Sequence, residues 1–123
     1  MRNERVAIDT NILLYILGGD KSLASLLAGK DVVASAMVRM EAMVYHGKDP
    51  DHLDRVHAFL LRCELEEIHR AVQDCAVDLR LRHKLKLPDA IIAATAIHLG
   101  IPLITADKSF GKLKPEFEVV VYS

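Results

Sequence analysis

Four carboxylates, Asp9, Glu41, Asp89 and Asp107, stand where a small domain has little structural use for a charge. Asp9 follows the apolar run Val6-Ala7-Ile8, and Asp107 follows Leu103-Ile104-Thr105 after a single alanine. Each reads as an acid just past the carboxyl end of a strand. Either could equally cap a helical turn, because Asp accepts hydrogen bonds from first-turn N–H groups. Glu41 is harder to account for. On a helix capped by Ser35 and running to about His46, with about 100° per residue, Met37, Val38, Met40, Val44 and Tyr45 surround its direction, while Arg39 and His46 point away. A carboxylate on an apolar face needs a cationic partner or a bound cation. Asp89 lies in LKLPDAIIAATAIHLG, a segment apolar almost all round, as buried helices are. In the first turn of that helix it would also suit the helix dipole.

Taken together the four acids point to one chemistry. If they converge, each raises the proton affinity of the others, and the cluster destabilises the fold unless a cation joins it. Oxygen donors favour a hard divalent ion, Mg²⁺ or Mn²⁺. No His or Cys stands at zinc-like spacing beside them. Asn11 and Thr105 add neutral oxygens next to Asp9 and Asp107, either as turn and cap residues or as supports that orient ligands and metal-bound water. Thr10 reads as the turn into the following helix. A carboxylate-held ion lowers the pKa of water and offsets charge on a leaving oxygen, so no Ser-His-Asp arrangement is needed. Asp9 and Asp107 are the expected direct ligands, with Glu41 and Asp89 binding directly or through water.

The elements that must position these groups alternate along the chain. Short strands are expected at Arg5–Asp9, Asp31–Ala34, Ile101–Thr105 and Val119–Tyr122, and at Glu64–Ile68, which alternates polar and apolar residues. Between them lie helices at Asn11–Leu17, Lys21–Ala28, Ser35–His46, Pro50–Arg62, His69–Lys84 and Pro88–Leu99, with a possible turn at Lys108–Leu113 capped by Asp107. Gly18, Gly29, Gly47 and Gly100 punctuate the helix ends. This is an α/β chain, a three-layer α/β/α sandwich with a mainly parallel central sheet, in one domain spanning 1–123. In such sheets ligands gather beyond the carboxyl ends of the strands, where Asp9 and Asp107 fall.

Composition sets limits. The 123 residues carry a formal net charge of −1, so bulk charge does not advertise a polyanionic partner. A local basic stretch, Arg80, Arg82, Lys84 and Lys86, precedes Asp89, and Lys108 follows Asp107. These are candidate phosphate contacts, or simply the solvated end of a helix whose dipole favours cations. Aromatic residues are 5% of the chain, which gives little support to a base-stacking platform. Tyr15 and Phe110 are expected in the core, as are Met37, Met40 and Met43 as packing residues. His46, His52, His57 and His69 are expected at the surface and His98 inside. Cys63 and Cys75 lack a metal-type spacing and read as reduced thiols of a cytoplasmic protein, and no apolar run approaches a membrane span.

IDTNILLY, Ser35 with Glu41 on the helix that follows it, LKLPDAIIAATAIHLGIPLIT and TADKSF, in that order, resemble a PIN-domain ribonuclease. At this length the likeness is to the VapC-type toxin of toxin–antitoxin pairs, and it covers essentially the whole chain. The resemblance implies a PIN-like fold, an acidic set falling on Asp9, Glu41, Asp89 and Asp107 with Ser35 among its supports, and Mg²⁺ or Mn²⁺. It also implies hydrolysis of RNA phosphodiesters (tRNA or another RNA), inhibition of translation, a homodimer and a cognate antitoxin. Rival readings are a PIN-like nuclease acting in RNA processing or on DNA, and a non-catalytic phosphoacceptor or interaction domain. The phosphoacceptor reading lacks support at Asn11, where a second Asp would be required, and at Ala7-Ile8, where a paired acid would precede Asp9.

Overall fold

A computed structural model describes residues 3–122. Among these residues five strands form one sheet in the order β3-β2-β1-β4-β5, and every pairing is parallel. They are β1 (Arg5–Ile8), β2 (Asp31–Ser35), β3 (Glu64–Glu66), β4 (Leu103–Thr105) and β5 (Val119–Val121). Parallel sheets are covered on both faces, which is why β1, β2 and β4 read as continuous apolar runs rather than alternating ones. The edge strand β3 carries Glu64 and Glu66 instead, charges that discourage pairing with another chain. Val6 faces Val32 and Ile8 faces Ile104, so β1 is central and its register carries Asp9 out beside the end of β4.

Among the described residues six helices and one 3-10 turn flank the sheet, giving the three-layer α/β/α arrangement that the alternation predicts. They are α1 (Thr10–Leu17), α2 (Lys21–Leu27), α3 (Ala36–Val44), α4 (Pro50–Leu60), α5 (Arg70–His83), α6 (Leu87–Leu99) and the turn Lys108–Leu113. Side-chain caps start most of them: Asp9, Asp20, Ser35 and Asp49 each accept from a first-turn N–H. In α6 every residue from Ala90 to Ala96 is buried, and the Thr95 hydroxyl is satisfied by the Ile91 carbonyl at 2.8 Å. The helix ends on Gly100 at φ 67°, a left-handed conformation that glycine adopts without a Cβ clash.

Several expectations need correction. The helix after Ser35 stops at Val44, and only Val38 and Ala42 of it are buried; Met40, Val44 and Tyr45 are exposed. Glu41 therefore borders the core stripe and looks into a cleft rather than into packed core. Tyr15 is 46% exposed and not a core residue, because α1 buries Ile12 and Leu13 instead. His52 is buried, its ring N–H donating to the Ala42 carbonyl at 2.7 Å. His98 is exposed, its ring 4.6 Å from that of His69. Phe110 lies in the core as expected.

Candidate active site

Strand order reverses between β1 and β4: the chain builds β2 and β3 on one side of β1, then β4 and β5 on the other. A crevice opens beyond the carboxyl ends of two such strands, the usual ligand position in open parallel sheets. Asp9 leaves β1 into that crevice. Its N–H donates to the Ile104 carbonyl at 3.2 Å, one Oδ accepts from the Ile12 N–H at 3.0 Å, and the other accepts from the Thr105 hydroxyl. Asp107 enters two residues beyond β4. Its N–H donates to Thr105 Oγ1 at 3.0 Å, and its carboxylate caps the 3-10 turn by accepting from the Ser109 N–H at 2.9 Å. Thr105 is fully buried and ties both acids together through one hydroxyl, donating to Asp9 and accepting from Asp107.

Glu41 and Asp89 complete the crevice from the helices. The Thr10 hydroxyl donates to Glu41 Oε1 at 2.6 Å, fixing the carboxylate of α3 to the first residue of α1. Asp89 stands in the first turn of α6, half-buried. The four acids line one cleft of about 330 Å³, with Thr10 and Asn11 on the same wall and Leu14, Val44, Tyr45, Ile92 and Phe110 supplying its apolar surface.

The electrostatics of the cleft follow from this convergence. Burial pushes the Asp9 carboxyl above its usual range, against the hydrogen bonds from Thr105, Ile12 and Ala106, and Asp107 adds to the rise. Asp89 is also pushed up, first by burial and then by repulsion from Asp107, Glu41 and Asp9, with Lys86 opposing. The donor set fits a hard divalent cation: all four side chains offer carboxylate oxygens, and two of them are disfavoured as bare anions. Among the described residues no three His, Cys, Asp or Glu side chains meet closely enough to enclose an ion, so the acids ring the cleft rather than close on one point.

The other expected residues divide. Asn11 and Thr105 lie at the acids, one exposed on the cleft wall and one buried beneath it. Ser35 caps α3, its Oγ accepting from the Met37 N–H at 3.0 Å, and does not line the cleft. None of Arg80, Arg82, Lys84, Lys86 or Lys108 lines it either. Arg82 is engaged in ion pairs with Asp78 at 2.8 Å and Glu116 at 2.6 Å. Lys86 sits at the start of α6 near Asp89, and Lys108 is exposed directly after Asp107. Thr10 reads from the sequence only as the turn into α1, and its bond to Glu41 is the feature of the site that sequence reasoning missed. Its partner lies 31 positions away, and no local signal couples the two.

A carboxylate-walled cleft at the strand-order reversal of an all-parallel sheet defines an acid-site α/β domain suited to a divalent cation. The PIN domain family model matches residues 6–114, and the chain belongs to that family. Comparison with curated proteins gave no significant match. Among solved structures, the chain is similar to one in a toxin–antitoxin complex from Klebsiella pneumoniae, at 31% identity and a TM-score of 0.82 over 94% of this chain and 96% of that one. It shares its fold with a chain of VapBC2 from Rickettsia felis bound to a promoter DNA fragment, at 21% identity and a TM-score of 0.82 over 97% and 99% of the two chains. A VapBC-5 chain from Mycobacterium tuberculosis matches at 18% identity and a TM-score of 0.73 over 96% and 98%.

Proposed function

We propose that the protein is a Mg²⁺- or Mn²⁺-dependent endoribonuclease and the toxin of a toxin–antitoxin pair that inhibits translation. The observation that carries this reading is the convergence of Asp9, Glu41, Asp89 and Asp107 on one cleft, with Thr105 bonded to two of them. Membership of the PIN-domain family supports a nuclease, and the likeness to a chain solved in a toxin–antitoxin complex supports an antitoxin partner. A homodimer and a cytoplasmic location belong to the same reading. The free thiols Cys63 and Cys75 suit a reducing compartment.

A divalent ion bound here supplies a water of lowered pKa and neutralises charge on the scissile phosphate. Asp9 and Asp107 are the acids to hold it, because their backbones end adjacent strands and Thr105 fixes their spacing. Thr10 holds one oxygen of Glu41 in place and leaves the other for a ligand or an ordered water. Among the described residues Asp89 receives no comparable side-chain bond, and it completes the negative wall from α6.

The test is cleavage of single-stranded RNA and single-stranded DNA, side by side, in Mg²⁺ or Mn²⁺, in EDTA, and by an Asp9→Asn protein. RNA cleavage that EDTA and Asp9→Asn each abolish is expected. Cleavage indifferent to both overturns the assignment, and cleavage of DNA alone changes the substrate.

A further inference from the structure

Past Tyr45 the acid cleft continues into a second depression of about 410 Å³ between α1, α3 and α4. The two share Asn11, Leu14 and Tyr45. The second is lined by rings and a cation rather than by acids: Tyr15, His46, His52 and Arg55 join Tyr45 there. The rings form a supported series. His52 is buried and fixed to the Ala42 carbonyl. His46 meets it edge-on at 4.6 Å, and Tyr45 meets His46 edge-on at 4.6 Å. Tyr45 is 60% exposed and Tyr15 46%, so both keep open surface in this depression. Arg55 is exposed, and its guanidinium is bonded to the Leu17 carbonyl at the end of α1. Five N–H donors on that group leave several for another acceptor.

A phosphodiester substrate brings its neighbouring nucleotides with it, and four carboxylates offer those nucleotides nothing. The basic stretch before Asp89 does not line the cleft, and Arg82 is committed to Asp78 and Glu116. The depression beside Tyr45 is the place where exposed aromatic surface and a cation adjoin the acids. Exposed rings stack on any base, and an arginine beside them matches a backbone phosphate. We propose that the groove between α1, α3 and α4 is a nucleotide subsite. A base flanking the scissile phosphate stacks on Tyr45 or Tyr15, and Arg55 contacts a phosphate of the same strand. The proposal rests on the ribonuclease reading above and adds where the RNA strand runs.

The chain has three tyrosines and no tryptophan, and two of them, Tyr15 and Tyr45, line this groove, so much of the tyrosine emission arises there. Hexauridylate and hexaadenylate are titrated onto the full-length protein in Ca²⁺, and cleavage of the same oligonucleotides is followed separately in Mn²⁺. Quenching of tyrosine emission is expected, with affinity weakened about tenfold or more in Tyr45→Ala and retained within about twofold in Tyr45→Phe, which keeps the π-face. Arg55→Ala is expected to weaken binding and to reduce the salt dependence by about one phosphate contact. Unchanged melting temperatures identify these losses as local. Should Tyr45→Ala fail to fold, the quenching in the parent protein and the Arg55→Ala salt dependence decide. Cleavage in Mn²⁺ with affinities indifferent to Tyr45 and Arg55 overturns the subsite, leaves the nuclease standing and makes the groove a seat for a protein segment. Binding and quenching without cleavage in Mn²⁺ overturns the nuclease reading and keeps the groove.

Discussion

Thr105 carries more of the site than its neutral side chain suggests. One hydroxyl, fully buried, serves two acids from two strands. Thr105→Val keeps the shape and removes both bonds, leaving the Asp107 N–H without this partner. A stability loss of about 1–3 kcal/mol is expected in chemical denaturation, with weaker Mn²⁺ binding. Thr105→Ser should recover most of the metal affinity. If the valine protein binds Mn²⁺ as the parent does, the acids are positioned independently of Thr105. Asp89 tests the repulsion. Its folded-state pKa is raised from the ordinary 3.8, so the native state holds that proton more tightly than the unfolded chain does. Its contribution to metal-free stability is therefore lost as pH rises from the ordinary value through the raised one, and at neutral pH the ionised group is a burden. Asp89→Asn should raise the metal-free melting temperature, by roughly 4 °C for each kcal/mol relieved at this chain length, and flatten its decline with pH. A lower melting temperature would show that the charge is compensated. The acids themselves were legible in the sequence because strand ends and an apolar helix make a carboxylate conspicuous. Thr10 and the burial of His52 were not, since both depend on partners in other elements.

At the scale of the elements, the sequence marks helix ends more faithfully than helix faces. Asp, Ser and Gly act through their nearest backbone neighbours, so their signals survive without tertiary context. The orientation of α3 did not, because Met40, Val44 and Tyr45 look like core residues until the cleft beside them is known. The segment Glu64–Ile68 paired over only Glu64–Glu66, as suits an edge strand with one neighbour. The end of α5 carries a prediction. Lys84 takes φ 56°, a left-handed conformation that a side chain disfavours, at a position where Gly100 closes α6 without penalty. Lys84→Gly should therefore stabilise the protein by up to about 1 kcal/mol. Because Lys84 also belongs to the basic stretch, RNA affinity distinguishes two roles. A protein that gains stability and keeps its affinity makes Lys84 an unfavourable cap and nothing more. One that gains stability and loses affinity identifies a strained residue retained for contact with phosphate.

The whole molecule sets the cleft at a junction the sheet cannot avoid. Five parallel strands in the order β3-β2-β1-β4-β5 require a reversal of direction beside β1, and the loops leaving β1 and β4 diverge there. Short apolar strands alternating with capped helices disclosed that sheet in advance. The reversal itself was not disclosed, because strand order is a long-range property. Stability and function then pull against each other at one place. Folding brings four carboxylates to a single cleft, and the cost of doing so is relieved when a cation enters. An ion that binds the native state and not the unfolded chain stabilises by mass action, about 2.7 kcal/mol at a concentration 100 times its dissociation constant. For a chain of this length that corresponds to a rise in melting temperature of roughly 10 °C. Mn²⁺ should produce such a rise in a scanning calorimeter, EDTA should reverse it, and K⁺ at equal ionic strength should not reproduce it, since general screening acts weakly on half-buried charges. Asp9→Asn and Asp107→Asn should each shrink the rise while leaving the sheet intact by circular dichroism. An Mn²⁺ series that leaves the melting temperature flat would mean the four acids are accommodated without an ion, and the cleft would then have to be explained by protonation and hydrogen bonding alone.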